Sequence, residues 1–108
     1  MALDIKDCPV SYAVNILDGK WKIPIVWIVG QEEVIRFNEL RRKINGISNI
    51  MLSRSLQELE SDYIIQRTQY NEIPPRVEYS LTDFGKAVQP VLELLGEWGK
   101  RAIKMKKS

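Results

Sequence analysis

The hydrophobic period of this chain changes partway along, and that change limits its fold more than any other feature. Phe37, Leu40 and Ile44 recur at i, i+3 and i+7; an Asn45-Gly46 turn signal intervenes; Leu52, Leu56 and Leu59 then recur at i, i+4 and i+7. Both runs put their apolar side chains on one face of a helix. From Ile64 onward the period is two. Residues 64–70 read as one strand. Arg76–Leu81 reads as a second, with Val77, Tyr79 and Leu81 on one side and Arg76, Glu78 and Ser80 on the other. An Asn-Gly pair usually closes a tight hairpin, but only between alternating flanks. Here the flanks are helical, so the pattern predicts a helix-turn-helix over 37–62 and a hairpin, or wing, over 64–81.

The remaining segments frame this unit. Cys8-Pro9 opens a helix of about 9–18, since proline suits a first turn, and Gly19 is placed to terminate it. Residues 21–29 are apolar almost all round. Pro24 excludes a central strand there, so the segment reads as a buried helix, with Gly30 ending it and Val34-Ile35 forming a short strand. Thr82 caps a final helix over 83–106, striped by Phe84, Val88, Val91, Leu95, Trp98 and Ala102. Pro90 predicts a bend within it. The apolar arc of this helix is wide enough to serve both its own domain and a partner. In a chain of 108 residues the core is modest, and a second copy is a natural way to bury more apolar surface. The expected architecture is mainly α with a small β-hairpin (α+β): one winged helix-turn-helix domain over 1–108, dimerising through its N- and C-terminal helices.

Composition narrows the chemistry. The chain has no histidine and one cysteine. That removes the usual general base, the Ser-His and Cys-His nucleophile pairs, the commonest zinc ligand and any all-cysteine metal site. The acidic residues are scattered over helix faces without pairing. No catalytic residue, metal site or cofactor is expected, and the chain reads as a binding protein rather than an enzyme. No segment approaches the ~20 apolar residues of a membrane span, and the N-terminus has no signal-peptide core, so a cytoplasmic location is expected.

The net charge of +2 permits nucleic-acid binding without arguing for it. Between Arg36 and Thr82 there are seven basic and six acidic residues, so a basic surface requires the charges to be sorted onto faces. The outward face of the second helix carries Ile50, Ser53, Arg54 and Gln57. Arg54 can pair with guanine, Gln57 with adenine, and Ile50 can touch a thymine methyl. Ser48 and Asn49 at the helix N-terminus can hold a phosphate. Arg41, Arg42 and Lys43 offer backbone contacts, as do Arg67 and Arg76 on the wing. Taken alone, such a basic triplet is more often a solvated helix face. Cys8, at a helix N-terminus, is a candidate redox sensor, because that position favours the thiolate.

Several strings, in order and spacing, resemble one family across nearly the whole chain: Cys8-Pro9-Val10, Gly19-Lys20-Trp21-Lys22, Arg36-Phe37-Asn38-Glu39-Leu40-Arg41-Arg42, Gly46-Ile47-Ser48, Met51-Leu52, Leu56-Gln57-Glu58-Leu59-Glu60 and residues 74–82. The chain resembles the HxlR-type winged helix-turn-helix regulators. The resemblance implies a prokaryotic homodimer on a roughly palindromic double-stranded DNA site, with a recognition helix over 48–61. Some members resemble thiol-based sensors with a cysteine where Cys8 stands. Pro24 replaces a usual leucine, and Ile50 a usual polar or basic residue. A protein-interaction module on the same scaffold, without DNA binding, is the alternative reading. Nothing in the sequence identifies a small-molecule effector.

Overall fold

In a computed structural model, which describes residues 2 and 4–107, the elements follow the predicted order. A 3-10 turn over Ile5–Asp7 leads into α1 (Pro9–Ile16), α2 (Lys22–Glu32), α3 (Phe37–Lys43) and α4 (Asn49–Ser61). The antiparallel strands β1 (Ile65–Tyr70) and β2 (Arg76–Leu81) follow, then the short α5 (Asp83–Lys86) and the long α6 (Gln89–Lys107). The strands run from the pair Ile65–Leu81 at the base to Tyr70–Arg76 at the loop end.

The core lies where α2, α3, α4 and the base of the hairpin meet. Ile25, Val26, Val29, Leu40, Leu52 and Leu59 are fully buried there. The predicted stripes of α3 and α4 point inward, as a 3.6-residue period requires, with Leu40, Ile44, Leu52, Leu56 and Leu59 buried and Phe37 half-buried at the edge. The short strand expected at Val34-Ile35 is present as a single bridge. Ile35 N–H donates to the Tyr79 carbonyl at 3.0 Å and Tyr79 N–H returns a bond at 2.8 Å, anchoring β2 to the chain ahead of α3.

Besides β1, which starts at Ile65 and not at Ile64, three boundaries differ from the sequence reading. Helix α1 stops at Ile16, two residues short, capped by Leu17. Gly30 does not end α2, which runs on to Glu32. The glycine instead permits a close approach: a Cβ there would lie 2.4 Å from the Gln89 side-chain nitrogen. Finally, the single helix expected over 83–106 is two helices, broken at Ala87-Val88. Pro90 therefore sits in the first turn of α6, where its missing N–H costs nothing, rather than at a mid-helix bend.

Thr82 caps α5 as predicted, its hydroxyl accepting from Gly85 N–H at 2.9 Å. The same hydroxyl donates to the Tyr63 carbonyl, and Thr82 N–H donates to the Ile64 carbonyl at 3.0 Å. The joint between the helix-turn-helix with its hairpin and the C-terminal helices is thus fastened to the chain just after α4. Beyond Leu92, the one buried residue of α6, the helix leaves the core. Its Val91, Leu94, Leu95, Trp98, Ile103 and Met105 are exposed. None of the described helices is long and apolar enough to cross a membrane.

Candidate nucleic-acid interface

The turn between α3 and α4 is built by Gly46, whose φ of +88° is a conformation few other residues adopt without strain. Ser48 then caps α4, its hydroxyl accepting from Met51 N–H at 3.1 Å. This bond satisfies one of the free N–H groups of the first turn. It also commits part of the hydroxyl that the sequence offered to a phosphate. With Leu52, Leu56 and Leu59 locked inward, the opposite face of α4 must point out.

That face is a shallow depression of about 480 Å³ lined by Phe37, Asn49, Ile50, Ser53, Arg54 and Gln57. Asn49, Ile50, Arg54 and Gln57 are exposed and Ser53 is half-buried. Five residues expected to meet DNA therefore share one outward side of α4, as base reading from a single helix requires. Phe37 is the member that sequence reasoning assigned only to the core. It is half-buried and forms one wall of the depression. Its place at the start of the α3 stripe marks it as packing, and only the docking of α3 on α4 reveals its outer edge.

Further basic groups lie on the preceding helix. Arg41, Arg42 and Lys43 occupy the last turn of α3 and are exposed. Lys43 is bound to Glu32 of α2 at 2.9 Å, so Arg41 and Arg42 are the freer pair. Among the described residues no ion pair engages Arg41, Arg42 or Arg54. Lys22, whose side chain is only 15% exposed, holds Glu58 of α4 at 2.9 Å. This ties the N-terminus of α2 to α4 one residue past Gln57.

The wing residues stand outside the depression. Arg67 is exposed, donating to the Gln69 side chain at 3.4 Å. Arg76 is engaged on three sides. It pairs with Glu72 at 3.3 Å, lies 3.6 Å from Glu78 and stacks 4.2 Å from the centre of the Tyr70 ring.

Cys8 is the N-cap residue of α1, beside Lys6, Tyr12, Ala13, Ile16 and Phe84. The sulfur makes no full capping hydrogen bond. Even so, the Ser11 backbone N–H, and after it the Ser11 hydroxyl, hold the thiol below its ordinary pKa. Burial acts weakly in the other direction, and Val10 N–H adds to the lowering. The thiol is free and partly exposed.

Comparison with known proteins places this geometry. The profile of the HxlR-like helix-turn-helix family matches residues 16–107. A helix-turn-helix transcriptional regulator of Methanothermobacter thermautotrophicus is 50% identical over 93 residues, covering 86% of this chain and 70% of that one. A similar regulator of Halalkalibacterium halodurans is 44% identical over 96 residues, covering 89% and 85%. Among solved structures, the redox regulator HypR in its reduced form superposes with a TM-score of 0.86 at 37% identity, covering 93% of this chain and 98% of HypR. With the family profile matched over most of its length and regulators this similar, the chain belongs to the HxlR-like helix-turn-helix family of DNA-binding transcriptional regulators.

Proposed function

We propose that the protein is a homodimeric, non-enzymatic regulator that binds a roughly palindromic operator in the cytoplasm, reading each half-site with α4. The observation that supports this most directly is the α4 depression, where Arg54 and Gln57 are exposed beside the apolar Ile50. An arginine and a glutamine one turn apart can each make paired hydrogen bonds to a base edge in the major groove. Arg41 and Arg42 contribute sequence-independent phosphate contacts.

The second copy is argued from α6. Its exposed apolar stripe lies between charges that are sorted along the helix, with Glu93 and Glu97 in the first half and Lys100, Arg101, Lys106 and Lys107 in the second. Two such helices packed antiparallel about a two-fold axis place the acidic half of each against the basic half of the other. The same axis matches a palindromic site.

The test is fluorescence anisotropy on DNA from immediately upstream of the protein's own gene, against scrambled DNA of equal length. Arg54→Ala is expected to reduce discrimination between the two by roughly tenfold or more. Arg41→Ala is expected to weaken binding to both evenly and to lower the salt slope by about one. Equal loss on both duplexes for Arg54→Ala would remove the base-reading role.

A second reading concerns control. The lowered pKa of Cys8 and the likeness to a redox regulator favour a thiol that responds to oxidants. Iodoacetamide should modify Cys8 with a pH midpoint below that of an ordinary thiol. Oxidant should change operator affinity in the wild type and leave Cys8→Ser unaffected. If oxidised wild type and Cys8→Ser bind alike, the thiol has no regulatory part.

A further inference from the structure

The wing carries an apparent contradiction. Its loop-side arginine, the group best suited to a phosphate, is turned inward, while its most prominent side chain is apolar. Arg76 opposes Tyr70 in the last pair of the ladder and stacks on that ring. Its guanidinium reaches back to Glu72 in the loop and lies alongside Glu78 on its own strand. Two carboxylates around one guanidinium leave no positive charge to offer DNA. The loop above is stiff. Glu72 N–H donates to the Tyr70 carbonyl at 2.9 Å, the Glu72–Arg76 pair closes it, and Pro74-Pro75 fix two more φ angles. At its apex Ile73 is fully exposed.

A large apolar side chain held in water on a preordered loop loses little conformational freedom when it is covered. What covers it must lie where the wing leads. β1 begins four residues after α4 ends and packs against it, so the hairpin extends from the reading helix itself. Its six-residue strands carry the apex roughly 20 Å from the base. A duplex seated on α4 presents an adjacent minor groove within that reach. The walls of that groove are sugar C–H surfaces, and apolar side chains are known to enter it.

We propose that the wing meets DNA through Ile73, seated in the minor groove flanking the half-site, and that Arg76 is a positioning residue that braces the loop. The contact is apolar and adds nothing to the salt dependence, so phosphate attraction comes from α3, α4 and the exposed Arg67 of β1, not from the wing loop. Minor-groove width, which varies with sequence, then becomes a selectivity determinant at base pairs that α4 does not touch.

The proposal rests on the DNA-binding reading, and the test separates the two. Wild type and Ile73→Ala are titrated against the upstream duplex at several salt concentrations, with netropsin as a minor-groove competitor. Ile73 makes no packing contribution to the folded chain, so the variant keeps its structure. Expected results are a roughly five- to tenfold weaker affinity for Ile73→Ala, an unchanged salt slope, and displacement by netropsin that is strong for wild type and weak for the variant. Arg76→Gln, which frees the loop, should lose a similar factor without losing a phosphate from the slope. Equal affinity of wild type and Ile73→Ala overturns the wing contact and leaves the reading helix intact. A slope lowered by about one in Arg76→Gln restores the arginine as a phosphate contact and also overturns it. Failure of wild type to bind any duplex removes the DNA reading itself, and the wing contact with it.

Discussion

Trp98→Glu, and separately Leu94→Glu, should convert the protein to a monomer and weaken operator binding by roughly two to four orders of magnitude. Both side chains lie on the free stripe of α6, with Trp98 64% and Leu94 72% exposed in the single chain. Neither supports the core of the single chain, so circular dichroism should change little, while Tm falls only by the loss of the interface. In an antiparallel pair of α6 helices the same positions become buried, and a carboxylate there is desolvated without a partner. That costs several kcal/mol, or forces the acid to protonate. DNA affinity falls because two half-sites no longer bind as one unit. The second half-site contact is effectively intramolecular in a dimer, and losing it removes a factor of about 10²–10⁴ with no base contact altered. Sedimentation equilibrium reads the assembly and anisotropy reads the affinity. A Trp98→Glu chain that remains dimeric at micromolar concentration places the partner surface elsewhere. A monomer that still binds the full operator as tightly as wild type separates DNA binding from dimerisation. The first result would end the α6 pairing argument, and the second its link to operator affinity.

What could be read in the sequence, and what could not, follows from the range of each interaction. The change of period from Leu59 to Ile64 reports local geometry, so the helix-turn-helix and the hairpin were visible. Ser48 and Thr82 were visible as caps because a capping bond spans three residues. The outward face of α4 followed once its leucines were assigned inward. Gly30 was misread because its constraint comes from Gln89, 59 positions along the chain, rather than from its neighbours. The division of the C-terminal helix was misplaced for a related reason. Pro90 signals a local irregularity but leaves open whether a helix bends through it or begins at it. The inward turn of Arg76 depends on the register that sets it opposite Tyr70, and alternation alone does not specify its ring and carboxylate partners. Phe37 joined the site only through the packing of α3 on α4.

Gly85→Ala tests the joint on which both halves of the molecule depend. The glycine is buried within α5, and a Cβ built on it would lie 2.1 Å from the carbonyl oxygen of Ile64. That neighbour is backbone, and the same oxygen already accepts from Thr82 N–H at 3.0 Å, so it has no free direction in which to yield. Alanine is the better helix former by about 1 kcal/mol, which on an exposed helix would make this substitution stabilising. Here the clash wins, because it forces α5 away from residues 63–64 and breaks the Thr82 clasp along with it. Overpacking of this kind costs about 3 kcal/mol or more, a shift of roughly 10 °C or more in Tm for a chain of this size. Gly99→Ala supplies the contrast. It lies in α6 with nothing near its added Cβ in the single chain, so it should gain a few tenths of a kcal/mol or stay neutral in the monomeric Trp98→Glu background. Thermal unfolding of the two variants in that background decides the point. A Gly85→Ala chain that melts with or above its parent would show that α5 is not held against the Ile64 carbonyl. The C-terminal helices would then be free to swing against the reading unit, and the spacing of the two half-sites would no longer be set by this joint.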